Sequence, residues 1–144
     1  MRNILILTCG ILVISFGVLA EETTCANGAG TIVEGVVTGH KYCKSNITMD
    51  WWNAMTWCDG LKDDVGGSRR LFNIGIDCKC SATTTICSNK KCPELVGIWN
   101  NGTTWTVTPH SSTHAYFVHL STGGIDNGTY GLAHANGNFF ALCK

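Results

Sequence analysis

Eight cysteines, Cys25, Cys43, Cys58, Cys78, Cys80, Cys87, Cys92 and Cys143, follow an apolar leader and constrain this chain more than any other feature. The leader carries Arg2, a mostly apolar run over 4–19, and a small-residue site, Val18-Leu19-Ala20, before Glu21. That is the pattern of a signal peptide spanning 1–20, and its apolar run is short for a membrane span. The ninth cysteine, Cys9, leaves with it. An even set of cysteines sent into an oxidising compartment reads as four disulfides. Eight cysteines allow about a hundred pairings, so the count by itself gives no connectivity. Each bridge contributes roughly 2–4 kcal/mol, a gain that matters for a small loop-rich domain.

Residues 21–144 are one domain by length. Loss of Arg2 leaves nine Lys+Arg against ten Asp+Glu, a net charge near −1. No basic field is present to attract nucleic acid or anionic lipid. No second apolar stretch reaches membrane length, so no membrane insertion is expected after signal cleavage. The expected location is secreted or extracellular, which in a bacterium means the periplasm or the cell surface.

The clearest helix covers 49–61, MDWWNAMTWCDGL. Trp51, Ala54, Met55, Cys58 and Leu61 fall on one face at helical spacing. Thr48 is placed to cap its start and Asp50 to complement its dipole. Trp52 and Trp57 lie off that stripe, so the helix is expected to pack on two sides. Before it, the β-branched run over 31–37 reads as a strand interrupted by Gly35, and 41–43 as its partner. Cys25 and Cys43 are placed to close this hairpin. After it, 62–70 is a loop and 71–74 a core peg. A strand over 96–99, a turn at Asn100-Asn101-Gly102 and a strand over 103–108 read as a hairpin. Further strands are expected at 115–120, 130–133 and 139–143, with a turn over 123–128. Strands, a helix, then several strands make the fold class α+β.

No constellation for catalysis emerges. Cys78, Cys80, Cys87 and Cys92 lack the paired knuckles of a strong zinc motif and read as two local disulfides, with three pairings open. His40, His110, His114, His119 and His134 have no metal-ligand spacing and read as solvated loop imidazoles. No Ser stands in a nucleophile elbow, and Asp63-Asp64 are adjacent on a polar loop. The chain is therefore expected not to be an enzyme, and no metal or cofactor is expected. What the second half does concentrate is aromatic and amide groups. Trp99, Asn100, Asn101, Trp105, Asp126, Asn127 and Asn136 form the candidate ligand-binding set, since stacking rings beside amides suit a neutral polar ligand such as a sugar. Asn46, Asn101 and Asn127 also head glycosylation sequons.

Taken in order, five segments resemble the C-type lectin-like domain: Trp51-x-x-Ala54-x-x-x-Cys58; Leu71 with Ile74; Val96-Gly97-Ile98-Trp99; residues 115–120 with a following Gly-Gly turn; and Phe140-Ala141-Leu142-Cys143. The resemblance covers roughly 42–144. It implies a looped antiparallel sheet, one main helix with a second after it, and a Cys58–Cys143 bridge from helix to last strand. A hairpin closed by Cys25–Cys43 is similar to the longer form of the family. The tripeptides that hold calcium and sugar in the family's lectins are missing, and six to eight oxygen ligands for calcium cannot be assembled. The resemblance thus implies a module that binds a glycan without the usual calcium site. The alternative is a structural, surface-display or adhesion protein whose partner is a cell-surface protein.

Overall fold

The computed structural model describes residues 23–80, 87, 89–129 and 139–144. The leader, the strand expected over 130–133, and the candidates Asn136 and His134 lie outside the described residues. The chain is a small α+β protein built on two antiparallel sheets, one main helix and four disulfides. Among the described residues no helix is long and apolar enough to cross a membrane.

Strand β1 (Thr24–Cys25), β2 (Gly30–Glu34) and β3 (Lys41–Ser45) form a meander, and the last strand β7 (Leu142–Cys143) joins its far edge. Cys43 faces Cys143 and Lys44 faces Leu142 across the β3–β7 pair. On the other side of β7, the segment at 70–72 pairs through a Leu71–Cys143 bridge and a Phe72 N–H to Leu142 carbonyl bond. The second sheet holds β4 (Thr103–Pro109), β5 (His114–His119) and β6 (Ile125–Thr129) in that order. Residues 139–140 tie the sheets together. Phe139 pairs with Met49, and Phe140 exchanges backbone bonds with Thr103 and Trp105.

Side chains alternate across a strand, and here both faces are buried. Tyr42, Val118, Leu120 and Leu142 enter one core cluster, while Cys43, Ala115, Phe117 and Cys143 enter the other. Helix α1 (Trp51–Asp59) covers the second cluster with Trp51, Ala54 and Cys58. Two indoles lock it there. Trp51 donates its ring N–H to the Thr106 carbonyl at 2.7 Å, and Trp105 donates to the Met49 carbonyl at 2.9 Å.

Several expected elements take another form. The cap of α1 is Asp50, not Thr48, because its carboxylate accepts the Asn53 N–H at 2.8 Å. Trp52 stands out in solvent and Trp57 is half-buried, so α1 packs on one face rather than two. The hairpin expected between 96–99 and 103–108 is not formed. Gly97 adopts φ +78°, a left-handed backbone that breaks extended pairing, and β4 pairs with β5 instead. The turn expected over 123–128 is shorter. The chain reverses before Ile125, whose buried side chain draws 125–129 in as β6. The peg at 71–74 runs into a short helix, α2 (Ile74–Asp77), capped by Asn73.

The cysteines pair as Cys25–Cys43, Cys58–Cys143, Cys78–Cys92 and Cys80–Cys87. The Cys58–Cys143 bridge spans 85 residues and Cys80–Cys87 only 7. On the loop-entropy model the first is worth about 4–5 kcal/mol and the second about 2–3.

One buried acid sets the β2–β3 connection. Glu94 is fully buried, in a 3-10 turn at Pro93–Leu95. Its carboxyl oxygens accept the Val37 N–H at 2.9 Å, the Thr38 N–H at 3.1 Å, the Tyr42 hydroxyl at 3.1 Å, and the Thr38 hydroxyl. Four donors meet the cost of burying it. Gly35 makes room: a Cβ there would lie 2.5 Å from Glu94 Cδ and 3.0 Å from Tyr42 Cε2. Gly35→Ala is therefore expected to lose about 1–3 kcal/mol. Urea unfolding would show it as a lower midpoint, and an unchanged midpoint would mean the Glu94 turn yields freely.

Candidate functional site

Trp99, Asn100 and Asn101 come together in the loop that precedes β4. Asn100 and Asn101 are exposed, and Trp99 retains 37% of its surface. Gly97 and Gly102, both with positive φ, bracket the loop and let it fold back on the sheet. The Trp99 N–H reaches the Leu120 carbonyl at 3.4 Å.

Beneath the ring lies a group that sequence reasoning missed. Lys44 projects from β3 and is 2% exposed. Its Nζ sits 4.4 Å from the Trp99 ring centroid and 3.9 Å from that of Phe140. It donates one bond, 2.9 Å long, to the Ser45 carbonyl. No carboxylate among the described residues pairs with it. Burial holds its pKa below the usual lysine value. A cation between two rings is worth up to about 2 kcal/mol once desolvated, so Lys44 fixes how Trp99 is presented. Nothing in the local pattern Tyr42-Cys43-Lys44-Ser45 marks the lysine as buried.

The other candidates lie elsewhere. Asp126 and Asn127 sit on β6, separated from β4 by β5, a spacing of roughly 10 Å. Asp126 is exposed, Asn127 half-buried, and with His110, Tyr116 and Lys90 they line a shallow cavity of about 80 Å³. Trp105 belongs to neither place. It is fully buried, packed against Phe117 and Phe139, and its N–H is spent on Met49. It is a core residue, since a β4 side chain pointing at α1 has no route to solvent.

The histidines divide. His110, His114 and His119 are exposed or half-buried on the second sheet. His40 is not a solvated loop imidazole: it packs edge-on against Tyr42, and its Nε2 is buried with no hydrogen-bond partner among the described residues. Burial lowers its pKa first, and the nearby Lys144 and Arg69 charges lower it further. Among the described residues no group of three His, Cys, Asp or Glu is arranged to hold a metal ion.

A second buried acid anchors the tail. Asp77 has no exposed side-chain surface and receives Arg70 through two bonds of 2.6 and 2.8 Å, Lys144 Nζ at 3.1 Å and the Asn73 N–H at 2.8 Å. Burial pushes its pKa up, but the Arg70, Asn73 and Lys144 bonds outweigh that and hold it below the usual carboxylate value. The ion pair links α2 to the last residue of the chain.

No family model, curated protein or solved structure matches this chain.

Two outcomes follow from these charges. The folded pKa of Asp77 lies below its unfolded value near 3.9, so the unfolded chain takes up more protons as pH falls past about 4 and stability drops there. Asp77→Asn is expected to cost on the order of 2 kcal/mol at pH 7, and less as the pH approaches 3. Urea midpoints at both pH values check this, and a constant difference would refute it. Lys44 behaves in the opposite sense. Its folded pKa lies below the unfolded value near 10.4, so the unfolded chain holds the extra proton between the two and stability rises with pH across that window. Lys44→Met should therefore be no less stable than the parent at pH 7, with its advantage shrinking toward pH 10.

Proposed function

We propose that this protein is a secreted ligand-binding module of the C-type lectin-like kind, that it carries out no chemistry, and that it binds carbohydrate without calcium through the Trp99 loop. The fold reading draws support from the arrangement of the ends. The helix cysteine is bridged to the last strand, that strand lies beside the N-terminal meander, and a separate three-stranded sheet carries the loops. The extracellular reading draws support from the four disulfides.

The observation that carries the binding site is the presentation of Trp99. A half-exposed indole is held from beneath by a buried cation, next to two exposed asparagine amides. A fixed ring beside amide donors and acceptors matches a sugar, which offers a C–H face and a rim of hydroxyls. Holding the ring in advance lowers the ordering cost of binding. Trp105 has no part in this surface. Asp126 and Asn127 would make a separate, secondary contact.

A glycan array in calcium and again in EDTA tests the proposal, with Trp99→Ala as the matched control. The expected result is binding that EDTA leaves intact and that Trp99→Ala weakens by about tenfold, the effect of losing roughly 1.4 kcal/mol of ring contact. Binding abolished by EDTA would reveal a metal site and overturn the calcium-free reading. No binding to any glycan would point to a protein partner.

A further inference from the structure

A cavity lies on the opposite face of the first sheet from Trp99. Its volume is about 670 Å³, within the range of small-ligand sites. Cys43 lines it, while its neighbour Lys44 points the other way to Trp99, as strand alternation requires. Ile32, the register partner of Cys43, lines the same wall. The Cys25–Cys43 bridge closes one side and the end of α1, at Gly60 and Leu61, the other.

Among the described residues, Lys41, Lys62, Arg69 and Asp64 are the charged residues that line this cavity. Arg69 is the unusual member. It is more than nine-tenths buried, yet no carboxylate among the described residues pairs with it. Its guanidinium makes three contacts to carbonyl oxygens, from Nε to Lys62 and from Nη1 to Lys41 and Cys143, all at 3.4 Å. These lie at the long limit for a hydrogen bond. Nη2 bonds nothing among the described residues. A buried guanidinium normally finds a planar two-oxygen acceptor, because its paired N–H groups match one. Lys62 stands beside it, its Nζ 3.0 Å from the Ser68 hydroxyl.

We propose that this cavity is an anion-binding site in which Arg69, aided by Lys62, receives a sulfate or carboxylate group. The anion is either free in solution or carried by an acidic saccharide. The site is independent of the Trp99 loop, since the sheet separates them.

The oxidised chain, labelled with nitrogen-15, would be titrated with sodium sulfate against sodium chloride at matched ionic strength while the Arg69 Nε–H resonance is followed by NMR. Saturable movement with sulfate and none with chloride is expected. Arg69→Gln should abolish the saturable shifts of neighbouring backbone amides. Because Arg69 also holds three backbone carbonyls, Lys62→Gln is the second variant: replacing this exposed side chain should weaken sulfate binding by about threefold to tenfold with the fold kept. Trp99→Ala should leave the sulfate titration unchanged, so failure of the glycan proposal and failure of this one read out separately. A sulfated disaccharide binding at least tenfold tighter than sulfate, with its unsulfated parent inert, would assign the group to a saccharide; equal affinity would assign it to the free anion. Absence of a saturable response, or a response that both variants retain, overturns the proposal.

Discussion

The Cys58–Cys143 bridge is the constraint on which the rest of the structure depends. It fixes β7 against α1, and β7 in turn is the strand to which everything else is attached. β3 pairs with one of its edges and the segment at 70–72 with the other. The residues just before it pair with Met49 and with the start of β4. A two-residue strand makes few ladder bonds and has little stability of its own. Covalent closure of an 85-residue span removes most of the entropy that would otherwise release it. The Asp77 group adds an electrostatic anchor at the final residue.

Five charged side chains are buried among the described residues; Asp50 caps α1, and the other four are treated differently. Glu94 and Asp77 each meet several donors and tie distant segments together, a turn in one case and the chain end in the other. Lys44 has rings in place of a counter-ion, and Arg69 has only distant carbonyls. Acids that are fully satisfied serve the fold. Cations left partly satisfied border the two surfaces where a ligand could add what the chain does not supply. The proposed sites thus sit on opposite faces of one sheet, each beside a basic residue that the sheet has drawn in.

Much of the framework was legible in local pattern. The 3.6-residue spacing of Trp51, Ala54 and Cys58 marks α1 because its period is intrinsic to the helix. The β-branched run marks β2 and the alternating aromatic and apolar residues mark β5 for the same kind of reason, although β5 is buried on both faces. Val96 to Trp99 misled, because an apolar run says nothing about the left-handed backbone that Gly97 adopts. Trp105 misled because an aromatic in a strand looks the same whether a helix covers it or solvent does. Asp126 and Asn127 are turn-forming residues by type, and only the pairing with β5 made them strand.

The sequence by itself determined the number of staples, the one strong helix, the α+β class and the aromatic and amide content from which a binding surface can be made. These depend on residue type and short-range spacing, which the chain carries wherever it goes. Tertiary structure alone decided how Cys78, Cys80, Cys87 and Cys92 pair, that Trp99 faces out while Trp105 faces in, and that Lys44 and Arg69 lie buried on opposite sides of one sheet. Burial and electrostatic partnership depend on which segments arrive from far along the chain. For Lys44 these come from positions 99 and 140, and for Arg69 from 41 and 143, separations over which no local pattern extends.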